Sequence, residues 1–124
     1  MVIISTTFSK LKKYNCENSV ISIGSFDGVH LAHKSIFSKM NALKEYNSKN
    51  IVITFNPHPR FVLYDRDVNK RYLLTDFNTK VNLIKKHNID VLVVINFSKK
   101  TALISAKDFL EKIINCFNPI HFVM

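Results

Sequence analysis

The chain has 124 residues, of which 47% are apolar and 22% are charged. This balance is typical of one globular domain and excludes disordered and low-complexity classes. The longest apolar run has the length of a buried strand, and the first residues lack the pattern of a secretory signal, so neither a membrane span nor secretion is predicted.

The net charge of +9 comes from 18 basic and 9 acidic residues. Either a coding bias toward lysine or an anionic partner would produce it. The lysines are scattered in pairs, which argues against nucleic acid as the partner. Cys16 and Cys116 stand far apart, which predicts neither a disulfide framework nor a cysteine metal site. A reducing compartment suits such a chain, and we expect it to be cytoplasmic.

Apolar runs and helical stripes alternate along the chain. A short run at 2–4 is expected to form an additional edge strand. Continuous apolar runs, which indicate strands covered on both faces, follow at 20–23, 51–55, 91–95 and 120–124. Apolar residues with helical spacing predict three helices: Ile36, Phe37, Met40 and Leu43; Phe77, Val81 and Ile84; Ala106, Phe109, Leu110, Ile113, Ile114 and Phe117. The alternation predicts an α/β fold, a three-layer Rossmann-like parallel sheet with flanking helices.

Polar residues and proline mark the expected ends of the helices. Thr75 and Ser105 precede the second and third stripes as expected N-caps. Asn88 is expected to stop the second helix, and Pro119 the third. The stretch 57–73 has no clear period and is interpreted as a long functional or disordered loop. Because an apolar run ends the chain, we expect a core of three or four strands with an incomplete edge, in the N-terminal part of a longer protein.

The turn after the first continuous run has the composition of a ligand site. Ligands of open α/β sheets bind beyond the carboxyl ends of the strands, and both glycines of the chain, Gly24 and Gly28, stand at that place. Glycine allows a ligand to approach the backbone N–H groups of a turn closely. The segment is neither a Walker A loop nor a GxGxxG dinucleotide fingerprint.

His30 and His33 follow this turn and are predicted to lie on one side of the first helix. Spacing alone leaves three interpretations open. The imidazoles could ligate a metal, although no third ligand stands at a recognisable spacing. They could be ordinary residues of a helix start that Asp27 caps. They could also donate hydrogen bonds to an anion at the helix N-terminus.

Residues 24–33, GSFDGVHLAH, resemble the signature of the adenylyltransferase module of bacterial FAD synthetases, in the HxGH nucleotidylyltransferase superfamily. Residues 54–59, TFNPHP, are similar to a second motif of that family. Further similarity lies in Leu74-Thr75 with Lys80, in 90–94 and in 97–109. The resemblance covers nearly the whole chain, and 1–124 is identified as the N-terminal part of an FMN adenylyltransferase domain. We expect the riboflavin kinase domain of bifunctional members to be absent from this chain.

The resemblance implies the nucleotidylyltransferase fold and the reaction ATP + FMN → FAD + pyrophosphate, with Mg²⁺ accompanying the nucleotide. It implies that His30 and His33 are the catalytic residues and contact the ATP phosphates. The remaining ATP-binding residues implied are Gly24, Ser25, Phe26, Asp27 and Gly28. ATP and FMN are the expected partners, and neither nucleic acid nor a membrane is expected.

The segment Asn56, Pro57, His58 and Pro59 follows the second continuous run. Its two prolines stiffen the backbone, and from sequence alone it is as readily a rigid turn as a ligand loop. The resemblance implies a loop that contacts flavin or nucleotide, with His58 as a polar contact.

Two departures from the family pattern change these expectations. Ala32 replaces the glycine of HxGH, which favours the helix but is expected to weaken ATP binding through its methyl group. The family's later Ser-Ser-Thr…Arg motif is not among the 124 residues, so we expect the chain alone to have little or no activity. Two alternatives remain open: a nucleotide- or flavin-binding remnant without catalysis, and another HxGH nucleotidylyltransferase with a different phosphorylated acceptor.

Overall fold

A computed structural model describes residues 1–14, 16, 18–27, 31–57 and 77–124. The strands in these ranges are β1 (Val2–Thr6), β2 (Asn18–Ile23), β3 (Ser48–Phe55), β4 (Val91–Ile95) and β5 (Pro119–Phe122). The helices are α1 (Leu31–Leu43), α2 (Phe77–Lys85), the short α3 (Lys99–Ala102) and α4 (Ala106–Phe117), and a 3-10 turn spans Phe8–Lys10. No helix in the described ranges is long and apolar enough to cross a lipid bilayer.

The strands form one parallel sheet in the order β1-β4-β3-β2-β5. Each apolar run and each helical stripe of the sequence corresponds to one of these strands or helices, which confirms the α/β fold class. The four continuous runs and the edge strand expected at 2–4 together account for the five strands of the sheet. The N-terminal run supplies the additional edge strand, since β1 pairs with β4 from Val2 beside Val91 to Thr6 beside Ile95.

Successive side chains of the strands point to opposite faces, so the sheet has an apolar core on each face. On one face, Val20, Val52 and Leu92 pack with Phe37 of α1 and Ile84 of α2. On the other face, strand residues pack against α4, and this second core includes Ile21, Ile51, Ile53, Val93, Ile113 and Phe117. Burial of both faces is the reason that the strands appear as continuous apolar runs in the sequence.

The ends of α4 are set by short polar residues. The Oγ of Ser105 accepts a hydrogen bond from the N–H of Asp108 at 3.1 Å, which confirms the predicted N-cap. At the other end, Asn118 has a left-handed φ of 48° and caps the helix, while Pro119 already begins β5. Asn88 has a φ of 59° in the turn beyond the end of α2, and Thr75 lies outside the described residues.

A polar cluster joins the elements at the amino-terminal edge of the sheet. Oδ2 of Asp90 accepts hydrogen bonds from Lys44 Nζ at 2.9 Å and from the Asn50 N–H at 2.8 Å. The Asp90 carbonyl also accepts from the Val2 N–H at 2.9 Å. Burial opposes ionisation of Asp90, but the hydrogen bonds from the Lys44 ammonium and the Asn50 backbone N–H, together with the charges of Lys44 and Lys49, outweigh it and lower the pKa of Asp90. We call Asp90, Lys44 and Asn50 the amino-edge cluster.

Candidate functional site

The turn that follows β2 lies where the strand order of the sheet reverses. From β2 the chain continues to β3 and β4 on one side, and β5 then pairs with the other side of β2. The helices α1 and α2 therefore cover one face and α4 covers the other. Such a reversal leaves a crevice at the carboxyl ends of the strands, which is where open α/β sheets bind ligands. Residues 24–27 stand at this crevice.

An aromatic ring anchors this turn in the core. Phe26 is 2% exposed, and its ring stacks on that of Phe37 at a centroid distance of 5.6 Å. Its φ of 52° is left-handed, which turns the chain sharply enough to send the side chain inward. A Cβ on Gly24 would lie 3.2 Å from Cε2 of this ring, so glycine makes room for it. The Gly24 N–H also donates to the Ile53 carbonyl at 3.0 Å, which fixes the turn to β3.

A buried lysine contacts the same turn from α2. Nζ of Lys80 donates to the Ser25 carbonyl at 2.9 Å and to Oγ1 of Thr54 at 3.2 Å. The Thr54 hydroxyl itself donates to the Ser25 carbonyl at 3.2 Å. Burial lowers the pKa of Lys80, and the negative charge of Asp27 partly offsets this effect. We call Lys80, Thr54 and Ser25 the carboxyl-edge cluster.

His33 lies in α1 close to its start. Its ring is 5.0 Å from the Phe26 ring at an interplanar angle of 60°, and the residue is half-buried. The structure thus brings His33 together with the turn through Phe26. Gly28 and His30 lie outside the described residues, so the pairing of the two imidazoles stays a prediction.

The second predicted segment begins at the carboxyl end of β3. The Asn56 N–H donates to the Ile95 carbonyl at 3.1 Å, which aligns the ends of β3 and β4. Asn56 lines a cleft of about 420 Å³ whose other lining residues are Ser5, Thr6, Thr7, Lys10, Phe77, Val94 and Asn96. Pro57 follows Asn56 through a cis peptide bond. His58, Pro59 and the rest of the stretch 57–73 lie outside the described residues.

Sequence reasoning did not assign a role to Lys80, Lys10 or Asn96. Two signals for Lys80 were available: its match, with Leu74-Thr75, to the family pattern, and its place on the apolar stripe of α2, where a charged residue is unexpected. Lys10 and Asn96 carry no such signal, because only the pairing of β1 with β4 brings them to one cleft. Within the described ranges, no group of three or more His, Cys, Asp and Glu side chains could hold a metal ion.

Comparison with known proteins identifies relatives of this chain. The family model described as FAD synthetase matches residues 12–124. A bifunctional riboflavin kinase/FMN adenylyltransferase of Buchnera aphidicola subsp. Acyrthosiphon pisum (strain APS) is 36% identical over 112 residues, which are 90% of this chain and 34% of the relative. The protein of the same name in Bacillus subtilis (strain 168) is 36% identical over 106 residues, which are 85% of this chain and 33% of the relative.

A third relative has a narrower name. An FAD synthetase of Listeria monocytogenes (serovar 1/2a, strain EGD-e) is 27% identical over 106 residues, which are 86% of this chain and 43% of that protein. The chain thus spans about a third of the length of the bifunctional relatives.

Among solved structures, the fold is similar to that of a Streptococcus pneumoniae protein named Macrolide-efflux Protein. The TM-score is 0.81 at 22% identity, and the similarity covers 99% of this chain and 40% of that one. At this level of identity, the similarity supports the fold alone.

Proposed function

The chain belongs to the FAD synthetase family, and on that premise we propose that it forms part of an FMN adenylyltransferase. The reaction transfers AMP from ATP to FMN and releases pyrophosphate. The bifunctional relatives are named for a riboflavin kinase as well, and we propose that the whole protein joins both activities.

The observation that carries this proposal is the position of the turn 24–27. It combines a family signature with the crevice at which the strand order reverses. The turn is also held from two directions, by β3 through the Gly24 N–H and by α2 through Lys80. A fixed backbone that precedes a helix is suited to a phosphate group, because N–H groups and the helix dipole both favour an anion there.

In the proposed reaction, an oxygen of the FMN phosphate attacks the α-phosphorus of ATP. The bond between that phosphorus and the oxygen bridging to the β-phosphate breaks, and pyrophosphate leaves. No nucleophilic side chain is needed, so the protein acts by positioning two anions and stabilising the charge on their oxygens. We assign the contacts with the ATP phosphates to His30 and His33, and the nucleotide pocket to Gly24, Ser25, Phe26, Asp27 and Gly28.

The contribution of Phe26 to that pocket is indirect. Its ring is buried against Phe37 and packs against His33, so it sets the position of the imidazole rather than offering its face to adenine. The pocket is therefore formed by the backbone of the turn. Mg²⁺ would enter with ATP, held by the phosphate oxygens.

We place the acceptor at the loop Asn56, Pro57, His58 and Pro59. The adjoining cleft is open at the carboxyl ends of β1, β3 and β4, and Phe77 and Asn96 line it. An aromatic ring and an amide suit a planar heterocycle with polar edges. Lys10, on the same cleft, is a cation suited to an acceptor phosphate.

Binding of ATP to the 124-residue chain tests this proposal by isothermal titration calorimetry. We expect wild type to bind ATP and His33→Gln to bind it about tenfold or more weakly, since a hydrogen bond to a charged group contributes about 1.5–3 kcal/mol. The control His121→Gln removes an imidazole from β5, outside the proposed site, and is expected to bind as wild type.

Two results would contradict the proposal. One is absence of ATP binding by the wild-type chain under conditions in which circular dichroism shows it to be folded. The other is equal affinity of wild type and His33→Gln. Titration with FMN tests whether the acceptor site binds this flavin, and titration with riboflavin, which lacks the phosphate, shows what the phosphate contributes to binding. Absence of FMN binding would favour another phosphorylated acceptor.

A further inference from the structure

Lys80 occupies a position where an apolar residue is expected. The apolar stripe of α2 contains Phe77, Val81 and Ile84, and the two buried residues of the helix are Lys80 and Ile84. Lys80 is 7% exposed, and its Nζ lies 5.6 Å from the centroid of the Phe77 ring. Taking an ammonium group out of water is unfavourable unless its surroundings replace the lost hydration.

The partners that the structure describes for this ammonium are neutral oxygens. Among the described residues, Nζ donates to the Ser25 carbonyl and to the Thr54 hydroxyl, and no carboxylate lies within hydrogen-bonding distance of it. Asp27 acts on it through its charge. A methionine of similar length would fill the same space without the desolvation of a charge, so stability alone does not account for a lysine here.

The contacts of Lys80 converge on the backbone of the proposed nucleotide turn. The Ser25 carbonyl accepts from both Lys80 and Thr54, which uses its two lone pairs. The next residue, Phe26, has the left-handed φ that sends its ring into the core. The orientation of the Ser25 peptide plane therefore determines where the following N–H groups point.

Lys80 also connects two parts of the proposed site. It belongs to α2, whose first residue, Phe77, lines the cleft next to Asn56. Thr54 stands on β3, two residues before Asn56, the first residue of the predicted acceptor loop. A movement of α2 or of the end of β3 would thus be transmitted to the turn through the carboxyl-edge cluster.

We infer that Lys80 is a positioning residue of the nucleotide site: its ammonium holds the Ser25 carbonyl so that the turn 24–27 keeps the geometry that binds ATP. The inference rests on the proposed function for its ligand. Lys80 acts on ATP affinity through the backbone of the turn and does not contact the reacting atoms.

The main test compares Lys80→Met with the control Lys85→Met. Both remove one positive charge from α2, but Lys85 is exposed at the end of the helix. We expect Lys80→Met to lower ATP affinity about tenfold, as for the loss of a hydrogen bond to a charged group, and Lys85→Met to change it less than twofold. The melting temperature of Lys80→Met should be equal to or higher than that of wild type, since a buried charge is removed.

A spectroscopic measurement reports the contact without any ligand. The carbonyl ¹³C resonance of Ser25 and the amide ¹⁵N resonance of Phe26 should move in Lys80→Met and stay in place in Lys85→Met. If Lys80 only fills space, the Ser25 carbonyl resonance should shift no more than the resonances of the neighbouring residues.

A second pair of variants covers the case in which Lys80→Met does not fold. Thr54→Val removes the hydroxyl that contacts both Lys80 and Ser25, whereas Thr54→Ser keeps it. We expect ATP affinity to fall about threefold or more in Thr54→Val, for the loss of neutral hydrogen bonds, and to be retained in Thr54→Ser.

The outcomes distinguish this inference from the proposed function. If wild type binds ATP and Lys80→Met binds it within twofold, the inference is overturned while the proposed function stands. If Lys80→Met does not fold, equal affinities of Thr54→Val and Thr54→Ser overturn it. If wild type does not bind ATP, the proposed function fails, and the positioning role falls with it.

Discussion

The two polar clusters of the sheet differ in what surrounds their charged groups. In the amino-edge cluster, the carboxylate of Asp90 meets the ammonium of Lys44 and a backbone N–H, and the side chains of this ion pair are 33% and 34% exposed. In the carboxyl-edge cluster, Lys80 is 7% exposed, and its ammonium meets only neutral oxygens among the described residues. Opposite charges are paired at one edge, whereas at the other a charge is buried and has no direct counterion within the part of the chain that the structure describes.

We interpret this difference as that between a structural cluster and one that serves the proposed nucleotide site. A charge pair at the start of β4, in which Asp90 also contacts β1 and β3, is explained by folding alone. A buried cation that contacts the backbone of a ligand turn is a feature that natural sequences retain at functional sites, at some loss of stability. The stability of the carboxyl edge must then come from apolar contacts. Three predictions test this comparison.

The largest effect is expected for Phe26, because its ring is the apolar anchor of the carboxyl edge. Phe26→Ala removes a ring that is 2% exposed and packs on Phe37 and His33. We expect the free energy of unfolding to fall by about 3–5 kcal/mol, the range for a buried phenylalanine replaced by alanine, measured by urea denaturation.

Tyr46→Ala is the matched control for this prediction, because Tyr46 is an aromatic residue that is 92% exposed. Its replacement should change the free energy of unfolding by less than about 0.5 kcal/mol. A loss below about 1 kcal/mol in Phe26→Ala, outside the range for such a buried ring, would show that the ring does not anchor the turn.

The same contrast explains which features could be predicted from sequence. Strands and helices were identified because burial leaves a recognisable pattern in the sequence. A continuous apolar run such as 91–95 indicates a buried strand, here β4, and helical spacing indicates a helix. The order of the strands in the sheet was not predicted, because pairings such as that of β1 with β4 join residues far apart in the chain. In the site, the turn with Gly24 has a local signature. The contact of Lys80 with the Ser25 carbonyl has none, because it spans 55 positions and any residue supplies a backbone carbonyl.

A smaller effect is expected at the amino edge. Asp90→Ala removes the acceptor of the Lys44 ammonium and the Asn50 N–H. We expect a loss of about 1–2 kcal/mol at neutral pH, since the ion pair is partly exposed and screened but the N–H group loses its partner. The control Glu111→Ala removes an exposed carboxylate from α4 and should change the stability by less than about 0.5 kcal/mol.

The pH dependence of this difference follows from the lowered pKa of Asp90. The ordinary carboxyl pKa of 3.8 applies to the unfolded chain, and the folded value lies below it. As the pH falls, the unfolded state therefore takes up the proton before the folded state does. The contribution of Asp90 to the free energy of unfolding is complete above pH 3.8 and is lost as the pH falls through the folded pKa. The gap between wild type and Asp90→Ala should be constant from neutral pH to about pH 5 and shrink at more acid pH. A gap that widens in acid would contradict the assigned contacts.

The smallest effect is expected for Ser22, in the strand that leads to the turn. Ser22 is fully buried, and its hydroxyl has no hydrogen-bond partner among the described residues. Ser22→Ala should therefore raise the free energy of unfolding by about 0.5–1 kcal/mol, because a buried polar group without a partner is unfavourable. Ser19→Ala is the matched control, since its hydroxyl in the same strand donates to the Phe117 carbonyl at 2.8 Å and its removal should destabilise the fold. If Ser22→Ala were as destabilising as Ser19→Ala, the hydroxyl of Ser22 would have a partner in solution. If it stabilised the fold and also weakened ATP binding, the functional cluster would extend from the turn into β2.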